Sequence, residues 1–509
     1  MKKLLSVLLT ICLLLGVAAP AAYAADDKCD CGLNPIIYVA ALGSASVYAD
    51  YGTENERVLF RPDTNALISE AVSALAPAVG DLAKGDYDAF GDALIDFVYT
   101  AFGDLELDGN GDSKENVYAV YNVPEDGKHG IDESFYFNYD FRLDPYEHAD
   151  RLNECIEQIK ELTGHEQVQL RASSMGGVVT MAYLERYGTQ DVETIIFQCC
   201  PIQGTAVAGD LFNGNLVIDK NALINYALDA IPNLENDFIQ GILIVLVNAL
   251  EELGVWELAI SVVDEIIPLF KDKIFDEALI PIFGSMPGIW SFVPDEYYEG
   301  AKEFMIVDED AQAGLVAKID AYHYNVQNRA TEILQEAYKT VKIYNVVGYN
   351  VQRTPLVPTY MNTSDGTVDT TYASVGAICA DYHSAFSSDY TQAVNDGHNH
   401  ISGDNAIDAS TCALPESTWF IKDMLHSTTH DGHGEMYDWM FTSKEQQTVY
   451  SNPDYPQFMQ NNVADQTFSE VKITTPVDEF KANPSLTTLA MLMQYLFEQF
   501  RIWFSTLLK

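Results

Sequence analysis

Apolar and polar positions along residues 134–200 follow a repeated strand and helix pattern. Aromatic residues dominate 134–139, and apolar positions at helical spacing follow between Asp144 and Gly164. Asp144 can cap the start of this helix, with Pro145 in its first turn, and Gly164 can end it. A second strand, a second helix and a third strand are predicted over 167–171, 178–187 and 192–200. Consecutive units of this kind predict right-handed crossovers on a parallel sheet.

The pattern changes beyond this unit. Residues 208–340 read almost wholly as helix and are rich in Leu and Ile, whereas 341–445 return to strands and loops. Lys2 and Lys3 precede an apolar stretch that ends in Ala-Tyr-Ala, which is typical of a signal peptide. The predicted organisation is a signal peptide over 1–24, two core segments over 25–207 and 341–445, a helical insertion over 208–340, and a C-terminal extension over 446–509.

The last residues predict an amphipathic helix. Apolar positions recur at spacings of three and four at Leu489, Leu492, Leu496, Phe500, Phe504 and Leu507. Glu498 and Arg501 interrupt the apolar circumference, so the helix is expected to lie on a surface rather than to span a bilayer. It either attaches the protein to a membrane or another surface, or packs on the core of the protein, and the sequence leaves both open.

Composition excludes several classes of function. The chain has 509 residues, with 28 Lys and Arg against 75 Asp and Glu, and a net charge of −47. A nucleic-acid partner is excluded because phosphate binding needs clustered basic residues, and electrostatic attraction to anionic lipid is excluded for the same reason. A hydrophobic fraction of 48% is too high for a disordered acidic chain and is ample for a large core.

A tight turn between the second strand and the second helix carries the candidate chemistry. Its sequence, Ala-Ser-Ser-Met-Gly-Gly over 172–177, has the form small-x-Ser-x-Gly around Ser174. A nucleophilic serine on such a turn needs small neighbours, because the backbone reverses sharply there. The next amide, that of Met175, is expected to point at the oxygen of a bound ester carbonyl at the positive end of the helix.

Four segments resemble motifs of one enzyme family. They are Pro35–Ser44, Tyr139–Pro145, Cys200–Gly204 and Ser364–Val368. Together with the serine turn, they resemble the α/β-hydrolases, specifically the lipase branch that includes lecithin–cholesterol acyltransferase and related phospholipases. The resemblance implies an α/β fold, namely the α/β-hydrolase fold of a mainly parallel sheet flanked by helices, with 208–340 as a cap. A buried helical subdomain is the alternative for 208–340. It also implies that the Leu42 amide joins that of Met175 in an oxyanion hole.

The sequence departs from the family pattern at three places. Ala172 stands at the first glycine of the serine turn, and Ser173 stands where the family has His. Ala40 and Ala41 replace the Pro-Gly of the oxyanion loop. These departures are the support for an alternative in which a non-catalytic, surface-binding protein has kept the fold.

The acid and base are expected to follow the serine in the order Ser, acid, His. Asp365 lies in a turn after the strand predicted over 341–347, and we expect it to orient the imidazole of the base. Asp369, four residues further on, is the rival acid.

The base is expected just past another predicted strand, 418–422, within hydrogen-bond reach of the serine. This favours His426, while His430 and His433 remain alternatives.

A metal site is the other interpretation of the clustered histidines. His398, His400, His430 and His433 could supply ligands, but no His-Glu-x-x-His motif or adjoining cysteine pair accompanies them. We therefore expect no metal and no cofactor. The sequence predicts a secreted serine hydrolase that cleaves carboxylic esters, with lipid-like substrates. An acyltransferase with the same three residues is an alternative that sequence cannot separate.

Overall fold

The computed structural model describes most of the chain between residues 31 and 471. The described residues are 31–61, 63–119, 126–219, 249, 253–254, 256–353, 355–387, 389–426, 434–462, 467–471, 492, 493 and 496. The predicted signal peptide lies outside them, and so does nearly all of the predicted C-terminal helix.

The strands form one large sheet and two small ones within the described residues. In chain order they are β1 Ile36–Val39, β2 Val47–Ala49, β3 Arg57–Phe60, β4 Val117–Ala119, β5 Phe135–Phe137, β6 Val168–Ser173, β7 Val192–Gln198, β8 Lys342–Tyr349, β9 Ile378–Cys379, β10 Ile407–Asp408, β11 Thr418–Lys422, β12 Phe458–Asn462 and β13 Thr467–Glu470. The large sheet has eight strands in the order β13-β12-β11-β8-β7-β6-β1-β5. All its neighbours are parallel except β12 and β13.

Helices cover the sheet. The longer ones are α1 Thr64–Leu75, α2 Tyr87–Phe102, α3 Pro145–Thr163, α4 Gly176–Tyr187, α5 Ala206–Phe212, α6 Trp256–Ile274, α7 Asp295–Met305, α8 Ala313–Tyr322, α9 Ala330–Ala337 and α10 Gly434–Thr442. Shorter helical segments are Val79–Leu82, Ile280–Ile282, Pro287–Trp290 and Thr370–Ala373, with π-helical turns at Phe275–Leu279 and His323–Gln327. Every residue of the central strand β8 is buried, as expected for a parallel strand covered on both faces.

The predicted strand and helix pattern over 134–200 corresponds to β5, α3, β6, α4 and β7. Helix α3 begins where predicted, because the Asp144 carboxylate accepts a hydrogen bond from the Tyr146 amide. It ends at Gly164, whose φ of 75° is in the left-handed region that favours glycine. The prediction of an α/β fold with a mainly parallel sheet flanked by helices is confirmed.

The predicted helical insertion is helical from Trp256 onward in the described part of the chain. Its later side chains, such as Ile289, Trp290 and Leu334, are buried in the same hydrophobic cluster as those of β1, β6 and β7. Helix α9 packs against α4 and leads into β8. The second half of 208–340 therefore flanks the sheet.

The small sheets and the tail complete the fold. Strands β3, β2 and β4 form an antiparallel sheet, and β9 pairs with β10. From the tail after residue 446, β12 and β13 extend the large sheet at one edge. No helix in the described part of the chain has the length and apolar character needed to cross a membrane.

Candidate active site

The candidate nucleophile lies on a strained turn at the carboxyl end of β6. Ser174 has a φ of 50°, which non-glycine residues rarely adopt. Two backbone hydrogen bonds hold this turn, because the Ser174 amide donates to the Gln198 carbonyl and the Gly177 amide donates to the Ser174 carbonyl. Strained residues of this kind persist only where their surroundings impose the conformation, and they concentrate at functional sites.

Two glycines allow α4 to start immediately after this serine. A Cβ atom on Gly176 would lie 2.2 Å from the carbonyl oxygen of Val39, and one on Gly177 would lie 2.4 Å from the Cβ atom of Cys200. Neither distance is compatible with a side chain larger than hydrogen. Ala172, in contrast, is completely buried and pairs with Val39 and Phe197 on the neighbouring strands. The Ala at this position therefore fits the turn.

His426 connects the serine to an aspartate. Its Nε2 atom lies 2.8 Å from Ser174 Oγ, and its Nδ1 atom lies 2.8 Å from Asp365 Oδ2. An ionised carboxylate only accepts hydrogen bonds, so Nδ1 carries the proton and Nε2 accepts from the serine hydroxyl. The His426 amide also donates to the Asp365 carbonyl at 2.9 Å, which ties the two loops together. This is the geometry in which an imidazole can take a proton from a serine.

Asp365 is held rigidly behind the imidazole. Its side chain is 1% exposed, and its Oδ1 atom accepts hydrogen bonds from the amides of Thr367 and Val368. Gly348 on β8 permits the close approach, because a Cβ atom there would lie 2.6 Å from the Cβ atom of Asp365. The carboxylate therefore keeps one oxygen for His426.

Cys199, which follows β7, is a buried neighbour of Asp365. Burial, followed by the nearby Asp365 charge and a hydrogen bond to it, raises the pKa of the Cys199 thiol well above its ordinary value. The thiol is therefore protonated and can donate to the carboxylate. Its φ of 50° makes it a second strained residue in this region, and no local sequence signal marks such a conformation.

Asp369, the rival acid, has a different set of partners. Its carboxylate pairs with Arg353 at 2.8 Å and accepts hydrogen bonds from Asn362 and from the amide of Ala206. Burial alone would raise its pKa, but Arg353 and these hydrogen bonds hold the pKa below its ordinary value. Because Ala206 begins α5, Asp369 ties the entry of the helical zone to the loop that contains Asp365.

Of the two predicted oxyanion donors, one lies on the serine turn itself and the other on the loop after β1. Met175 directly precedes the first residue of α4, and its side chain is completely buried. Leu42 lies in the loop after β1. The carbonyl oxygens of Val39, at the end of β1, and of Ala40, at the start of this loop, lie close to the first residue of α4. The Tyr139 hydroxyl donates to the Ala40 carbonyl at 2.8 Å and so anchors this loop. The role of the two amides stays a prediction.

Of the four other histidines considered from the sequence, the structure describes His398 and His400. His430 and His433 lie outside the described residues. His400 is buried, with Nδ1 2.9 Å from Gln457 Oε1 and Nε2 2.9 Å from Asp396 Oδ2. His398 is exposed and stacks on the ring of Tyr450.

A comparison with protein families supports the fold. Residues 132–281 match the family described as a PGAP1-like alpha/beta domain. The match includes Ser174 but ends before Asp365 and His426. A search of curated proteins gave no match. The matched segment is thus similar to a hydrolase-like α/β domain, which agrees with a hydrolase in general but does not single out the lecithin–cholesterol acyltransferase branch.

Proposed function

We propose that the protein is a serine hydrolase that cleaves carboxylic esters through an acyl-enzyme. The observation that carries this proposal is the hydrogen-bonded chain from Asp365 through His426 to Ser174, which stands on a strained turn at the start of a helix. A chance cluster of polar side chains would not combine such a chain with a turn that costs conformational energy.

The proposed reaction has two halves. Ser174 Oγ attacks the ester carbonyl while His426 Nε2 takes its proton, and the negative charge on the carbonyl oxygen is stabilised by the amides of Leu42 and Met175. The ester bond then breaks, and His426 returns the proton to the leaving alcohol. In the second half, His426 takes a proton from water as the water attacks the acyl-enzyme. It then gives this proton to Ser174 Oγ as the bond between Ser174 and the acyl group breaks and the carboxylic acid leaves. Neither half needs a metal or a cofactor.

We propose lipid-like esters as the substrate class. The support is the apolar sequence Ile242–Val247, which precedes the part of 208–340 that packs on the sheet, together with the place where this zone begins. Helix α5 starts at Ala206, and Thr205 donates to the Thr367 carbonyl in the acid loop, so the zone enters beside the candidate site. A helical cap there would supply an apolar wall for an acyl chain. Export through a signal peptide over 1–24 belongs to the same proposal.

Hydrolysis of p-nitrophenyl esters of graded acyl length, with a phospholipid assay beside it, tests the substrate class. A cap over an acyl pocket predicts higher rates on longer chains and a further increase once the substrate aggregates. Equal rates on acetyl and decanoyl esters, unchanged above the aggregation point, would contradict lipid-like substrates but not ester hydrolysis. Adding an acceptor alcohol and measuring the products then separates hydrolysis from acyl transfer, since the same three residues serve both.

A further inference from the structure

A cysteine and two histidines meet at a second place in the fold, away from the candidate active site. The Nε2 atoms of His129 and His165 lie 3.1 Å apart, and Cys31 Sγ lies 3.4 Å and 3.5 Å from them, respectively. We infer that Cys31, His129 and His165 bind one divalent transition-metal ion, with zinc as the expected occupant, and that this ion stabilises the fold.

The hydrogen bonds behind the two imidazoles support this inference. His129 Nδ1 lies 2.8 Å from the Gly127 carbonyl oxygen, and His165 Nδ1 lies 2.9 Å from Asn34 Oδ1. The Asn34 orientation follows from its amide nitrogen, which donates to Glu193. Both acceptors therefore require a proton on Nδ1, so each neutral ring presents the lone pair of Nε2 to the other. Two lone pairs facing each other at this distance repel unless a proton or a metal ion lies between them.

The distances fit one tetrahedral ion. Zinc–nitrogen bonds of about 2.0–2.1 Å and zinc–sulfur bonds of about 2.3 Å place tetrahedral ligands about 3.3 Å apart for two nitrogens and about 3.6 Å apart for nitrogen and sulfur. The observed separations of 3.1, 3.4 and 3.5 Å are close to these values. Imidazole and thiolate ligands favour zinc over magnesium and calcium, which prefer oxygen. The three residues leave one tetrahedral position for a further ligand.

The surroundings orient the ligands as metal sites require. A chain of hydrogen bonds runs from His165 through Asn34 to Glu193. The Glu193 carboxylate also forms an ion pair with Lys342 at 2.9 Å. Partners of this kind fix the tautomer and the ring orientation of a metal-bound histidine. On the other side, a Cβ atom on Gly127 would lie 2.7 Å from the Leu162 carbonyl oxygen, so glycine allows its loop to pack on the end of α3.

The location indicates a structural role. Cys31, His129 and His165 precede β1, β5 and β6, three neighbouring parallel strands, so the cluster lies at their amino-terminal edge. Ser174 lies at the opposite edge, beyond the six residues of β6, which span about 20 Å. An ion here would join three loops that are far apart in sequence, and its binding free energy would add to the stability of the fold.

Metal content and thermal stability of the full chain test the inference. We expect about one zinc ion per chain after purification with zinc present, a lower melting temperature after chelation, and recovery when zinc is returned. Loss of a residue that hydrogen-bonds to a metal ligand typically weakens metal binding by about 10-fold to 100-fold. Cys31→Ser and His129→Ala each remove a ligand itself and should weaken zinc binding by more than this. His398→Ala, which changes an exposed histidine, is the matched control and should bind zinc as the unchanged protein does.

Cobalt substitution gives a readout that does not depend on variant stability. Cobalt bound to the unchanged protein should show thiolate-to-metal charge-transfer absorption, and Cys31→Ser should remove this absorption. Circular dichroism of the metal-free variant checks that it is folded. Absence of bound zinc together with an unchanged melting temperature on chelation would overturn the inference. It would also be overturned by zinc bound equally well to the Cys31→Ser, His129→Ala double variant. Neither result bears on ester hydrolysis, so this inference and the proposed function fail separately.

Discussion

Two aspartates four residues apart are placed in opposite environments. Asp365 offers one oxygen to His426, whereas both oxygens of Asp369 are engaged by Arg353 and other hydrogen-bond donors. The side chains of Asp369 and Arg353 are 3% and 1% exposed, so this is a buried ion pair. Removing one partner of such a pair leaves the other charge buried without compensation. The two residues should therefore respond differently to the same substitution.

Asp365→Asn should leave the fold intact and lower the turnover of ester substrates by about 10⁴-fold, because the imidazole is then held in the wrong tautomer. Asp369→Asn should instead destabilise the protein by about 3–5 kcal/mol. Both are checked by measuring hydrolysis and denaturant unfolding side by side. A stable, fully active Asp365→Asn protein would contradict the assignment of the acid.

His148 is a buried group whose charge state couples stability to pH. Its Nε2 atom donates to the Asp140 carbonyl at 2.8 Å, and Nδ1 has no hydrogen-bond partner among the described residues. Burial, only partly opposed by the Asp140 charge, lowers the pKa of His148 from 6.5 to about 4. The folded protein therefore binds fewer protons than the unfolded chain between these values. Stability from this residue is full above pH 6.5 and is lost as the pH falls toward 4.

His148→Gln keeps a hydrogen-bond donor but removes this titration. At about 1.4 kcal/mol per pKa unit, the unchanged protein should lose about 2 kcal/mol more than the variant between pH 7 and pH 5. Denaturant unfolding at both pH values measures the difference, and the other titrating groups cancel because both proteins share them. Parallel stability curves would show that His148 does not carry the effect.

Among the elements, those with strong local signals were the ones that the sequence predicted best. The unit from β5 to β7 was predicted almost residue by residue, because caps, glycines and apolar periodicity all agree there. Strand β11 has the predicted bounds, Thr418–Lys422. Strands β12 and β13 are not predicted as part of the sheet, because their sequences, FMQNN and TFSE, are too polar to show the apolar alternation of a strand.

The C-terminal helix is the element whose role a truncation can decide. In its predicted range, Leu492, Met493 and Leu496 are described as helical, and Met493 and Leu496 are 61% and 49% exposed. Removing all residues after Asn483 should leave a stable, active enzyme that no longer sediments with lipid vesicles, if the apolar stripe serves attachment. A clear drop in melting temperature, with newly exposed apolar surface, would show instead that the helix packs on the core.

At the scale of the whole molecule, sheet order explains how distant residues meet. Strands β6, β7, β8 and β11 are consecutive neighbours, so the loops after their carboxyl ends share one edge. Ser174 and His426 are 252 residues apart in sequence. They can still be proposed from the sequence as nucleophile and base, because each follows a predicted strand of the parallel sheet. The choice between Asp365 and Asp369 was harder, because both follow the same strand and only their packing differs.

The cluster of Cys31, His129 and His165 could not be predicted from the sequence. Its members are separated by 98 and 36 residues, and no metal-binding motif has such spacing. They meet only because β1, β5 and β6 lie side by side. The sequence instead suggests a metal site among the clustered histidines near the C-terminal end of the core. One of them, the buried His400, has Gln457 and Asp396 as its hydrogen-bond partners.

The most direct test of the central claim is labelling of the full chain with a fluorophosphonate, followed by peptide mapping of the adduct. We expect one adduct on Ser174, together with ester hydrolysis that Ser174→Ala lowers by about 10⁴-fold to 10⁶-fold. Ser173→Ala is the matched control, because Ser173 is buried at the end of β6 and should keep both labelling and turnover. An adduct on Ser173, or no adduct on a folded protein, would contradict the assignment of Ser174 as the nucleophile.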